Sequence, residues 1–214
     1  MEVGDVPFDT KEFNFTRYLN KSREHFTGRR WLYSELESIL SDSQGNIVRG
    51  VVVIGKPGVG KSALSAQLIC SRASSPYIHK RIIGYHLCKY SDKATQDPGL
   101  FVRNLVDLIA RRIPEYGMLI YNSSFIPRVL QTSCLRDPYD CFEQAIAIPL
   151  RQVQNERQYH FIIIDALDEC ASDNTWTASL VQFVKDTYNR LPKWVRLVMT
   201  SRNDSAVLLS LIHI

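Results

Sequence analysis

The stretch Gly55-Lys56-Pro57-Gly58-Val59-Gly60-Lys61-Ser62 constrains this chain more than any other. It fits G-x-x-x-x-G-K-[ST], and Val51-Val52-Val53-Ile54 before it reads as a buried strand. After it, Ser62 to Cys70 places Leu64, Leu68 and Ile69 at the spacing of one helix face. Strand, glycine loop and helix together form the context in which this motif binds phosphate; a glycine-rich turn that binds nothing would lack those flanks. Gly55, Gly58 and Gly60 let the backbone turn so that successive N–H groups converge as an anion nest. The opening of the helix adds the positive end of its dipole. Lys61 is expected to reach the β/γ-phosphates and the Ser62 hydroxyl to ligate Mg²⁺. Lys56, Pro57, Val59 and Ala63 complete the expected phosphate-binding run.

Such a loop wants an acidic partner for its metal. Phe161-Ile162-Ile163-Ile164-Asp165-Ala166-Leu167-Asp168-Glu169 supplies one. Asp165 ends an apolar strand, where open α/β sheets place their ligands, and is expected in the Mg²⁺ shell beside Ser62. Asp168 or Glu169 would orient, or take a proton from, the water that attacks the γ-phosphate. The bland alternative is that these two acids cap or solvate the loop. Arg202, after the strand Val195–Thr200, would sense the γ-phosphate or neutralise charge in the transition state if its strand neighbours that of Asp165. By itself an arginine after a strand is a surface charge.

The remaining pattern is strands alternating with helices. It predicts an α/β fold of three layers, with a parallel sheet and helices on both faces. Arg81 to Cys88 reads as a strand, and Asp97-Pro98 and Asp137-Pro138 both read as helix starts. Pro149 is expected to kink or end the second of these helices near Ile148, and a further helix is expected from about Thr175 to Asn189. Tyr116 to Ser133 is least legible and reads as a surface insertion. Residues 1–25, polar with scattered aromatics, read as an extension packed on a domain spanning 26–214. The chain stops at Ile214 directly after an apolar run, Val207 to Ile212, which predicts a fragment whose following domain is missing.

With 214 residues, a net charge of +4 and scattered basic residues, the chain has no nucleic-acid tail. Its five cysteines lack any C-x-x-C pair and its five histidines are isolated, so free thiols in a reducing cytosol are expected and zinc is not. A polar N-terminus and no apolar run of spanning length argue a cytoplasmic domain.

The glycine loop, the strand ending Asp-Ala-Leu-Asp-Glu and the strand ending Thr-Ser-Arg together resemble the signal-transduction NTPases with numerous domains (STAND), which include the NACHT and NB-ARC proteins. Phe26-Thr27-Gly28-Arg29 resembles the Gly-Arg motif that packs beside adenine in that class, although Arg30 stands where Glu is common. Arg29-Arg30-Trp31, Gly84-Tyr85-His86-Leu87-Cys88 and Asp165 to Cys170 look most like the TANC scaffold proteins, which carry ankyrin and tetratricopeptide repeats; a related ankyrin-repeat protein is the near alternative. The resemblance implies five strands, one of them between the loop strand and the Asp165 strand. It implies ATP exchanging with ADP as a conformational switch, with Gly28 and Arg29 beside the base. It also implies a lid or winged-helix domain in the missing sequence, protein partners through missing repeats, assembly on activation, and a place at membrane-associated scaffolds.

Other functions are weighed against this one. A module that holds nucleotide without hydrolysing it keeps the same residues. A GTPase would want Asn-Lys-x-Asp, and Asn20-Lys21-Ser22-Arg23 lacks the Asp and precedes the loop. A small-molecule kinase would want an acceptor site, and none is visible.

Overall fold

Four runs rich in β-branched residues form one parallel sheet in the computed structural model, which describes residues 11–23, 28–41, 48–71, 75–154, 158–171 and 179–203. The first half of the chain contributes α1 (Thr16–Arg23), α2 (Arg30–Ser41), β1 (Gly50–Ile54), α3 (Lys61–Cys70), α4 (Pro76–His79), β2 (Ile82–Leu87) and α5 (Pro98–Arg112). The second half contributes α6 (Pro114–Tyr121), α7 (Ile126–Arg128), α8 (Pro138–Phe142), α9 (Ile148–Gln152), β3 (His160–Asp165), α10 (Leu180–Thr187) and β4 (Val195–Ser201). The strand order is β1-β4-β3-β2, and every neighbouring pair is parallel. Thus the position between the loop strand and the Asp165 strand is filled by β4. The described residues hold four strands, against the five that the resemblance implied.

Side chains alternate across the sheet, and both faces are dry. Phe161 and Ile163 of β3 point into a core shared with Leu19, Leu36, Leu64 and Leu68, from α1, α2 and α3. Ile162 and Ile164 point into the opposite core, with Phe101, Leu105, Phe142 and Phe183 from α5, α8 and α10. A strand buried on both sides has no polar face to show, which is why β3 reads as an unbroken apolar run. The three-layer α/β expectation is met. Among the described residues no helix is long and apolar enough to cross a membrane.

Local signals explain most helix starts. The side chains of Asp97 and Asp137 accept from the N–H groups of Leu100 (2.9 Å) and Asp140 (3.0 Å), each with proline next in sequence. Pro149 corrects its expectation, because helix continues through it. The turn before it, Glu143–Ala147, widens to π geometry, and α9 then carries Pro149 in its first turn. Proline cannot donate to the carbonyl four residues back, so Ala145 O would be stranded; the buried Tyr116 hydroxyl donates to it instead, at 2.6 Å. Tyr116 to Ser133 is likewise no surface insertion, since Tyr116, Ile120, Ile126 and Val129 are all buried in the α5-side core. Trp176, in the expected start of the helix before β4, and the run Val207 to Ile212 lie outside the described residues.

The thiols depart from expectation. Cys88 is joined to Cys170 and Cys134 to Cys141, with Cys70 the free cysteine among the described residues. Cys88 follows β2 and Cys170 follows β3; because these strands are parallel neighbours, two residues 82 apart in sequence come within 5.4 Å, Cα to Cα. Spacing along the chain could not show this.

His86 of β2 is fully buried, with the rings of Phe13, Phe15 and Phe101 edge-on at 5.2, 5.7 and 5.1 Å. Its Nε2 donates to the Thr95 carbonyl (2.7 Å), and burial pushes its pKa down to about 4. The unfolded chain takes up this proton near pH 6.5 and the native state only near pH 4. Stability is therefore full above pH 6.5 and falls as pH drops toward 4, by up to about 3 kcal/mol. Urea midpoints measured across this range should flatten in His86→Gln; an unchanged slope in the variant would assign the effect to another group.

Candidate functional site

An open cleft of about 260 Å³ lies where the sheet's C-terminal strand ends meet the glycine loop. Pro57, Gly58 and residues 60–63 form one wall; Ala166, Asp168, Glu169 and Arg202 form the other. Sequence alone placed these two groups together, and the structure does the same.

The loop wall follows from backbone geometry. Gly58 (φ 78°) and Gly60 (φ 90°) are left-handed, a conformation that side chains resist, and Gly60 caps α3 with no side-chain bond of its own. The first N–H groups of α3 are thereby left for an acceptor from outside the helix. Lys61 Nζ donates to Gly55 O (2.7 Å) and Lys56 O (3.2 Å), so the cation is curled onto the loop that a phosphate would share. Gly55, Lys56 and Val59 shape the loop without lining the cleft. The Gly55 N–H donates to Ser201 O (3.2 Å), which fastens the loop to the end of β4.

The acidic wall is held from the same strand. Asp165 is fully buried, and its Oδ1 accepts from Ser65 Oγ (2.8 Å) and Thr200 Oγ1 (2.7 Å). Its Oδ2 is buried with no hydrogen-bond partner among the described residues. An ionised oxygen left so is costly unless a cation or donor completes it. Ala166 is forced into the left-handed region (φ 54°) and held there by its N–H donating to Thr200 Oγ1 (2.8 Å). That turn aims Asp168 and Glu169 into the cleft. Arg202 spans both: its N–H and Nε meet Asp168 at 2.9 and 3.1 Å, and its Nη2 meets Glu169 at 3.4 Å. Glu169 also accepts from the Tyr90 N–H (3.0 Å).

A hard divalent cation fits this donor set. The Ser62 hydroxyl and the unpartnered Asp165 Oδ2 would hold it, and both are oxygen donors of the kind Mg²⁺ prefers. Gly28 and Arg29, both left-handed (φ 84° and 58°), precede α2 and do not line the cleft; Phe26 and Thr27 lie outside the described residues. A second set, His86, Cys88 and Cys170, brings its ligand atoms within 4.8 Å of one another, but the two sulfurs are bonded to each other and offer no thiolate.

One residue of the site has no signal in the motifs. Tyr18, on α1, reaches the Ser62 hydroxyl with its own. Only the packing of α1 on α3 puts it there.

A family model described as "Nephrocystin 3, N-terminal" matches residues 28–202. The matched span runs from the glycine before α2 to the arginine after β4 and so takes in both walls of the cleft.

Proposed function

The chain belongs to the nephrocystin 3 N-terminal family, and from that premise we propose that it is an ATP- and ADP-binding P-loop NTPase domain acting as a slow nucleotide-dependent switch. One observation carries the reading. The left-handed glycines and Lys61 form an anion cradle directly across the cleft from an acidic strand end with an unsatisfied carboxylate oxygen. The finer assignment, to the STAND class with its NACHT proteins and TANC-like scaffolds, belongs to the same proposal and is supported by the motif likeness. So do adenine as the base, Gly28 and Arg29 beside it, a cytoplasmic scaffold carrying ankyrin or tetratricopeptide repeats, and protein partners engaged through those repeats.

In this reading Lys61 leaves the Gly55 and Lys56 carbonyls and turns to the β/γ-phosphates, gaining charged acceptors for neutral ones. The helix N-terminus at Lys61 and Ser62 receives the remaining phosphate oxygens. Mg²⁺, held by Ser62 and Asp165, would supply charge neutralisation on the phosphates. Arg202 is positioned to turn from the carboxylates toward the γ-phosphate, which would release Glu169 to orient water. Asp168 is the more firmly committed of the two acids, since it takes both the backbone and the side chain of Arg202.

The experiment is phosphate release from ATP by two variants, with binding followed in parallel. Glu169→Gln should lower turnover about tenfold or more, in the range of one general acid–base group, and leave affinity near normal. Asp168→Asn should shift affinity through the misplaced Arg202. Loss of turnover in Asp168→Asn alone would reverse the two roles. A second reading, nucleotide held without hydrolysis, is favoured by the double engagement of Glu169 by Tyr90 and Arg202. Tight binding with no phosphate released by the unaltered protein would establish it.

A further inference from the structure

The segment ahead of the glycine loop is bound into the molecule at several points. Phe13 and Phe15 stack at 5.1 Å and close over His86, and Leu19 is fully buried. Gln67 Nε2, on α3, donates to Arg23 O (3.3 Å) at the last residue of α1. Lys89 Nζ, just beyond β2, stands 5.5 Å from the Phe15 ring and 5.0 Å from the Tyr18 ring. These contacts hold α1 along α3, and they fix where Tyr18 points.

It points into the metal side of the cleft. The Tyr18 hydroxyl is hydrogen-bonded to Ser62 and lies in the field of Asp165 and Glu169. Burial pushes the phenol up, and the two carboxylates add to this, so the group enters the site as a neutral hydroxyl on an apolar ring. A hard cation asks for several oxygen ligands and keeps waters among them. A neutral phenol on Ser62 takes up a lone pair and the space that a hydrated ion would use.

We propose that Tyr18 is a gate on the divalent-cation site, its hydroxyl occupying Ser62 in the nucleotide-free protein and giving way when a metal–nucleotide complex binds. The proposal rests on the nucleotide reading of the cleft. It makes α1 a sensor, since the state of the metal site is felt by a helix whose other contacts lead through Phe13 and Phe15 to β2. Metal loading would break the Tyr18–Ser62 hydrogen bond and loosen α1 against α3, while nucleotide bound without metal would leave the strap in place.

The test is titration of the 214-residue protein with a fluorescent ADP analogue, once with Mg²⁺ and once with a chelator, for the unaltered chain and for Tyr18→Phe. The substitution removes the hydroxyl and keeps the ring beside Lys89. Affinity with Mg²⁺ should rise about three- to tenfold, the worth of one hydrogen bond between neutral groups, and affinity with chelator should not change. Limited trypsin digestion gives a second readout: cleavage at Lys21 or Arg23 should quicken when Mg²⁺ and ADP are added together and not when ADP is added with chelator. A Tyr18→Phe protein that binds normally in both arms, with no gain from Mg²⁺ over the unaltered chain, overturns the gate and leaves the nucleotide reading intact. A fall in the Mg²⁺ arm also overturns it, because it would make Tyr18 a support of the metal shell. Absence of binding by the unaltered chain in both arms removes the nucleotide reading and the gate with it.

Discussion

Lys61→Ala should lower affinity for ATP and ADP by about a hundredfold, close to 2.7 kcal/mol. The substitution deletes the mobile cation of the cradle, and with it the charge-assisted contacts that distinguish phosphate from water. It should leave the fold intact, because Lys61 Nζ is bound only to two carbonyls of its own loop, at Gly55 and Lys56, which water can satisfy once the side chain is gone. A fluorescent-nucleotide titration with a parallel thermal melt separates the two effects. Equal affinities for the two proteins would show that nucleotide does not use this loop.

Asp165→Asn should act on the metal alone. The amide keeps an oxygen where Oδ1 accepts from Ser65 and Thr200, so the buried network survives, but the Oδ2 position loses its charge and acquires a donor. The gain in nucleotide affinity that Mg²⁺ confers should fall by about thirtyfold, roughly 2 kcal/mol, while affinity in chelator stays as it was. Asp165→Ala would confound this by stranding two buried hydroxyls. Calorimetry with and without Mg²⁺ decides it: an Asn variant that retains the full metal effect would move the cation away from Asp165.

Much of the cleft is legible in the sequence because its parts are contiguous there. The loop, its strand and its helix occupy one run of residues, and Asp165 closes an apolar run whose composition announces burial on two faces. The neighbouring of β3 and β4, on which the role of Arg202 was conditional, also appears in the structure. What sequence could not show depends on pairings made only by folding. Tyr18 looks like one of several aromatics in a polar leader until α1 lies on α3. Cys88 and Cys170 become partners only because β2 and β3 run side by side. Pro149 misleads for a related reason: a proline ends a helix unless something else serves the stranded carbonyl, and Tyr116, 29 residues before that carbonyl, does so.

The place of β4 in the sheet governs how the molecule is made. Gly50 of β1 pairs with Leu197, and among the described residues β1 has no other strand beside it. A chain emerging from the ribosome therefore carries its glycine loop on a strand with an unpaired edge until nearly all of the sheet's sequence has been translated. Such long-range pairing is slow, and an apolar edge left open invites pairing with other chains. β2 and β3 can join each other earlier, but the two walls of the cleft cannot meet, because Thr200, Ser201 and Arg202 are what tie Asp165, Gly55 and the two acids into one place. The newborn protein has both halves of its site well before β4 is made, and acquires the site itself with three residues at that strand's end.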